Sequence, residues 1–304
     1  MERRFLYVKS KFDGLPISVM ECMPDGKPHA VVLLVHGLCG CKERFLPFME
    51  YLTSNGLACV ASDLRGHGSS IRNEADRGYM YGGGAEAVVA DLDTVVDYID
   101  GRFNGHKLVM LGHSMGSLAA RVYVKHHDDR LSGLVLCGSP SPSPMSTVAN
   151  ALLMFLCRIG GRHMRVRYQQ KLISNRYNKR FRSEGPQAWT CSDPEVRQTF
   201  AADPRCNFTI TADCASTLMS LLCETYSPRG WNPKNPDMPV VFLSGEDDPC
   251  MINNERFDKS VDCMHVIGYR DIRVFTYAGM RHEILNELNK KSVWIDILTQ
   301  IETE

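Results

Sequence analysis

The stretch LVMLGHSMGSLAARVY, Leu108 to Tyr123, constrains the fold of this chain more than any other. Leu108 to Leu111 is a short apolar run suited to a buried strand. From Met115 onward Leu118, Ala119, Val122 and Tyr123 recur at helical spacing. Between the two stands Gly112-His113-Ser114-Met115-Gly116. A strand that turns at once into a helix has no room for bulk on either side of the corner, and Gly112 and Gly116, lacking a Cβ, meet that demand. Such a corner holds the Ser114 hydroxyl out of the top of a sheet and offers the following N–H, that of Met115, to a developing oxyanion. Ser114 is therefore a candidate nucleophile. His113 reads as a packed neighbour whose strand position turns it from the attacking face.

The remaining pattern supplies the sheet around that corner. Apolar runs at Ala30–Val35, Leu57–Ala61, Lys107–Leu111, Leu134–Cys137, Val240–Leu243 and Ile272–Phe275 predict buried parallel strands. Helical patterns, including Ala85–Phe103 and Met115–His126, lie between most of them, which predicts a parallel α/β sheet. Phe5–Lys9 and Ile17–Cys22, joined through Asp13-Gly14, predict an antiparallel hairpin. The alternation stops at the Pro/Ser stretch GSPSPSPMS and resumes after WNPKNPDMP. This divides the chain into a core of residues 1–139 and 237–304 and a helix-rich insertion, 140–236, expected to form a cap.

Composition removes several function classes. Lys plus Arg equal Asp plus Glu at 35 each, so no basic field argues for a nucleic-acid partner. No apolar run approaches the roughly 18 residues of a membrane span. The charged start MERRFLYVK lacks the apolar stretch of an export signal, and a cytoplasmic location is expected. The twelve cysteines contain no C-x-x-C pair, so no zinc spacing is present. Cys59 and Cys137 sit in apolar strands, as buried free thiols do. No metal and no organic cofactor is expected.

A serine hydroxyl needs a base, and the base an orienting acid. After VVFLS come Glu246, Asp247 and Asp248, any of which could orient it. Asp248 is preferred, although spacing alone does not separate it from Asp247. After IRVFTY comes His282, the one histidine following a late strand, whereas His265 lies in a helical pattern. The loop opened by His36-Gly37 after VVLLV is expected to provide a second oxyanion donor, the Leu38 N–H, with Gly37 allowing close approach. Asp63, Arg65 and His67 in SDLRGHGSS read as a network that locks a loop.

HGLCG, DLRGHGSS, GHSMGS, SGEDDP and MRHEILNE, in that order, resemble the α/β-hydrolase superfamily. The resemblance is closest to the monoacylglycerol lipase, bacterial lysophospholipase and serine-aminopeptidase-like group. It implies a mostly parallel sheet flanked by helices with an inserted cap. It further implies Ser114 as nucleophile, Asp248 as acid, His282 as base, and Leu38 and Met115 as oxyanion donors. One departure stands out: Gly40-Cys41 occupies the place where family members usually carry an acid–histidine pair, which bears on what supports the oxyanion loop.

The implied activity is hydrolysis of lipid-type carboxylic esters, with a small-molecule ester or lipid as partner. A small-ester carboxylesterase and an amide hydrolase are alternatives, the latter needing cap acids such as Glu184, Asp193 or Glu195 to hold a free amine. A ligand-binding relative without turnover would not need an intact Ser114, Asp248 and His282. In the cap, VANALLMFLCRIG offers Leu152, Leu153, Phe155 and Leu156 as an acyl channel, a transient membrane contact, or packing onto the core. The basic stretch from Arg158 to Arg182 is a candidate for anionic head groups or a solvated face.

Overall fold

The structure, a computed structural model, describes residues 2–143 and 146–303, without the side chains of Ser146, Thr147, Asn150, Leu156 and Arg158. Eight strands form one sheet: β1 (Glu2–Lys9), β2 (Pro16–Met23), β3 (Ala30–Val35), β4 (Ala58–Ser62), β5 (Lys107–His113), β6 (Gly133–Cys137), β7 (Val240–Gly245) and β8 (Ile272–Tyr277). Their order is β1-β2-β4-β3-β5-β6-β7-β8. The hairpin β1–β2 and the β2–β4 pair are antiparallel, and all other neighbours are parallel. Every run expected to be a strand coincides with one, with ends extended by up to three residues, except that β4 begins at Ala58 and leaves Leu57 outside. The fold is the α/β-hydrolase fold.

Strand periodicity decides which helices cover which face. Side chains alternate across a strand. Val31, Leu33 and Val35 of β3 therefore join one core while Val32 and Leu34 join the other. The first core is closed by α2 (Gly84–Arg102), α3 (Met115–His127), α7 (Ala212–Tyr226) and α8 (Asn254–Ile267). The second is closed by α1 (Leu46–Ser54) and α9 (Lys290–Glu302). Because both faces are covered, the central strands read as unbroken apolar runs.

Between β6 and β7 lie α4 (Ser146–Gly160), α5 (Arg167–Tyr177), α6 (Pro194–Ala202) and α7. α4 packs against α7, and α7 in turn packs on α2 and α3. The last helix of the stretch thus belongs physically to a core layer. Among the described residues, no helix is long and apolar enough to cross a membrane. All twelve cysteines are free thiols.

Candidate active site

The strand–helix corner forms where the sequence places it, at the end of β5. Ser114 has φ 53° and ψ −120°, a left-handed conformation that a serine adopts only when its surroundings enforce it. The glycines are what allow it. A Cβ on Gly116 would lie 2.2 Å from the Val35 carbonyl oxygen, and one on Gly112 would lie 2.5 Å from that of Gly116. Strand β3, helix α3 and the corner therefore pack backbone to backbone. The Ser114 N–H donates to the Cys137 carbonyl at 3.0 Å, which ties the corner to β6.

Ser114 Oγ lies 2.8 Å from His282 Nε2, and His282 Nδ1 lies 2.8 Å from Asp248 Oδ2. A carboxylate only accepts, so Nδ1 carries the proton and Nε2 accepts from the serine hydroxyl. The three side chains come from the ends of β5, β7 and β8, parallel neighbours of β6 or of one another, which is why they meet at one edge of the sheet. Burial would lower the His282 pKa, but the Asp248 charge outweighs it and holds the imidazole well above its ordinary value of 6.5. Asp248 itself is fixed by accepting the Cys250 N–H on its other oxygen at 2.8 Å. Asp247, the competitor that spacing left open, instead pairs with Arg180 at 2.5 Å.

The loop after β3 lies against this line. A Cβ on Gly37 would be 2.8 Å from Ser114 Cβ. Leu38, the next residue, is half-buried, and Met115 opens α3, where N–H groups have no intrahelical acceptor. Three contacts hold the loop in the absence of an acid–histidine pair at Gly40-Cys41. His36 donates from Nδ1 to the Gly37 carbonyl at 2.7 Å and accepts the Leu64 N–H at Nε2, 3.0 Å away. This requires a neutral ring, and burial pushes the His36 pKa down to about 4. Buried Lys42 bonds Asp63 through both its backbone N–H, at 2.8 Å, and its ammonium, at 2.7 Å. Arg44 pairs with Glu283 at 2.8 Å, joining the loop to the segment that carries His282.

Sequence reasoning missed the Arg44–Glu283 pair. The only signal was a charge beside each motif, and opposite charges 239 residues apart do not announce a contact. It also missed what covers His282. Trp189 lies 5.3 Å from the His282 ring, Tyr177 lies 5.0 Å from Trp189, and Arg281 sits 3.9 Å over Phe181. The inserted stretch thus roofs the histidine. His113 is buried as expected, and its Nε2 donates to the His282 carbonyl at 3.1 Å. The SDLRGHGSS loop is locked by separate bonds and not by one network of the three: Asp63 accepts from the Lys42 ammonium and the Ser69 N–H, His67 Nδ1 donates to the Arg65 carbonyl at 3.0 Å, and fully buried Arg65 pairs with Asp91 at 2.7 Å.

Of the acids considered as an amine anchor, Glu184 and Asp193 are engaged elsewhere and Glu195 faces solvent. Glu184 pairs with Arg281 at 2.7 Å, and Asp193 caps α6 by accepting the Glu195 N–H. Of the basic stretch, Arg162 pairs with Asp213 at 3.1 Å, Arg165 donates to the carbonyls of Arg77, Ala75 and Thr209, and Arg180 holds Asp247. The Arg158 side chain lies outside the described residues. Among the described residues, two sets of three metal-type donors come within 4.8 Å of one another: Asp248, Cys250 and His282, and Cys41, Asp203 and Cys206. In the first set Asp248 and His282 are already bonded to each other and His282 to Ser114. In the second, Asp203 is held by the Arg205 guanidinium at 2.8 Å.

Residues 26–289 match the model of a hydrolase family described as serine aminopeptidase, S33. The chain belongs to this family. A monoacylglycerol lipase of Mycolicibacterium smegmatis is 24% identical over 91% of this chain and 90% of its own length. Phospholipase YtpA of Bacillus subtilis is 31% identical over 36% of this chain and 40% of its own. Among solved structures, a carboxyl esterase from Bacillus coagulans superimposes with a TM-score of 0.89 at 24% identity, covering 100% of this chain and 99% of that one. A monoglyceride lipase of Saccharomyces cerevisiae gives 0.76 at 20% identity, over 100% and 96% of the two chains. These likenesses bear on the fold. The S33 chain described here carries its serine–histidine–aspartate line on that fold.

Proposed function

We propose that the chain is a serine hydrolase of lipid-type carboxylic esters, a monoacylglycerol or a lysophospholipid. The observation that carries this reading is the unbroken line Asp248–His282–Ser114, with two contacts of 2.8 Å, set against the Gly37 loop. In this mechanism Ser114 attacks the ester carbonyl and passes its proton to His282 Nε2. Asp248 stabilises the imidazolium, which protonates the departing alcohol. The Leu38 and Met115 N–H groups hold the tetrahedral oxyanion, and removal of one such donor costs about 10²–10³ in rate. An acyl-Ser114 remains until water, deprotonated by His282, releases the acid. His36, Gly37, Gly112, His113 and Gly116 support this geometry without touching substrate. No metal or cofactor enters.

The lipid class is supported by relatives named as monoacylglycerol lipase and phospholipase, and by the surface of the insertion. We take residues 140–236 as a cap on a core of 1–139 and 237–304. On α4, Val148, Leu152, Phe155 and Ile159 are 57–70% exposed at helical spacing, and Leu172 and Ile173 of α5 are also exposed. Leu152 and Phe155 are therefore not spent on packing the cap to the core. Leu153 is half-buried, and the Leu156 side chain lies outside the described residues. This stripe suits transient contact with a lipid surface. A reducing cytoplasm suits the free thiols.

The test is hydrolysis of p-nitrophenyl esters from C2 to C16, with 1-monoacylglycerol and lysophosphatidylcholine alongside and Ser114→Ala as control. Activity peaking at medium or long chains and lost in the control supports the reading. Activity confined to C2–C4 replaces it with a small-ester carboxylesterase. No ester turnover overturns it and directs attention to amides.

A further inference from the structure

Cys41 follows the Gly37 loop, and Cys206 follows α6 in the inserted stretch. Their Sγ atoms lie 3.6 Å apart although 165 positions separate them in the chain. The two side chains are buried, at 0% and 1% exposure, yet Arg205 beside Cys206 reaches the surface. We infer that Cys41 and Cys206 are a peroxide-oxidisable dithiol, a modification site that closes a disulfide between the loop after β3 and the inserted helical stretch.

The surroundings divide the labour between the two sulfurs. The two sulfurs share one hydrogen bond, and that bond together with the Arg44 and Arg205 guanidiniums outweighs burial and the Asp203 charge, so the Cys206 pKa lies below its ordinary value. The same bond, together with burial, raises the Cys41 thiol. Elsewhere burial prevails: Cys22 and Cys59, cross-strand partners in the sheet, are both raised, Cys22 to about 11. Cys206 adjoins Arg205, which reaches the surface, whereas Cys41 is fully buried, so Cys206 is taken as the sulfur that meets peroxide and Cys41 as the resolving thiol.

The Cys206 thiolate attacks one oxygen of hydrogen peroxide. An S–O bond forms, the O–O bond breaks, and the hydroxide released takes up a proton to give water. The Cys41 sulfur then attacks the Cys206 sulfur of the sulfenic acid. The S–S bond forms, the S–O bond breaks, and the departing oxygen leaves with the Cys41 proton as a second water. Two thiols are oxidised and one peroxide is reduced.

A disulfide bond is about 2.05 Å long, so the two sulfurs, now 3.6 Å apart, must come roughly 1.5 Å closer. The Gly40 N–H donates to the Gly37 carbonyl at 3.0 Å, which passes a pull on Cys41 to the backbone of Gly37 and Leu38. A displacement of roughly 1 Å at a reacting centre costs up to about 10²-fold in rate. At least a tenfold fall in kcat is expected, an effect that rests on the esterase reading above.

The experiment treats the full chain with hydrogen peroxide, then maps peptides by mass spectrometry and titrates thiols in denaturant. The expected result is a linked Cys41–Cys206 peptide and a fall from twelve thiols to ten. With a p-nitrophenyl ester, kcat falls at least about tenfold and dithiothreitol restores it. Cys206→Ser keeps the basal kcat and loses the peroxide response. Cys206→Ala replaces it if a buried hydroxyl unfolds the segment. A missing linked peptide overturns the site. Equal inactivation of Cys206→Ser, or an unchanged kcat in linked protein, overturns its control of activity. If no ester is turned over, the function proposed above fails, while the linked peptide and thiol count still decide this inference.

Discussion

Replacing Gly37 by alanine tests whether the loop after β3 sets the rate through its contact with Ser114. The added Cβ would sit 2.8 Å from Ser114 Cβ and 3.2 Å from His113 Nδ1. Carbon atoms in contact rest at about 3.5–4.0 Å, so the loop must retreat by roughly 0.7–1.2 Å. Gly37 is not among the glycines with positive φ, so alanine meets a lack of space and not a forbidden backbone. The corner cannot yield instead, because Gly116 is already pressed on the Val35 carbonyl. The loop therefore moves, and Leu38 carries its N–H away from the oxyanion position proposed for it. A misplacement of this size costs about 10²-fold in kcat, or ~2.7 kcal/mol of transition-state stabilisation. The assay is steady-state hydrolysis of a p-nitrophenyl ester, with titration of Ser114 by a fluorophosphonate to count intact sites. A Gly37→Ala protein that labels fully and keeps kcat within about threefold of the parent would refute the reasoning, since one lost donor alone is worth ~10²–10³.

Three further outcomes follow from the same geometry. His282 must be neutral to accept a proton, and Asp248 holds it above 6.5, so kcat/KM is expected to rise with pH through a value above 6.5. Asp248→Asn removes the charge but leaves the burial that lowers the pKa, so the rising limb moves below 6.5 and kcat drops about 10⁴-fold; a limb that stays put contradicts the assignment of Asp248. Glu283→Gln leaves Arg44 without its carboxylate in a largely buried site, and urea unfolding should report a loss of about 3 kcal/mol. A loss below about 1 kcal/mol would class the pair with ordinary surface bridges. Gly101→Ala, in the last turns of α2 with nothing within 4 Å of the new Cβ, should gain ~0.5–1 kcal/mol, and a lowered melting temperature would count against that open setting.

Much of this was legible in one dimension because it depends on local rules. The central strands of the sheet announce themselves as apolar runs because both faces are covered. The corner at Ser114 is legible because only glycine fits where Gly116 meets the Val35 carbonyl. His282 and the acid follow strands whose parallel order brings their ends together at one edge.

Tertiary structure decided what depends on side chains distant in the chain. It separated Asp248 from Asp247, because adjacent residues after a strand point in different directions: one meets His282, the other Arg180. It showed that Lys42, His36 and Arg44 hold the loop in which Gly40-Cys41 departs from the family pattern. It also brought Trp189 over His282 and Cys206 to Cys41. Periodicity and glycine placement are properties of the chain itself. A contact between residues more than ninety or a hundred and sixty positions apart exists only once the sheet and the inserted helices have packed.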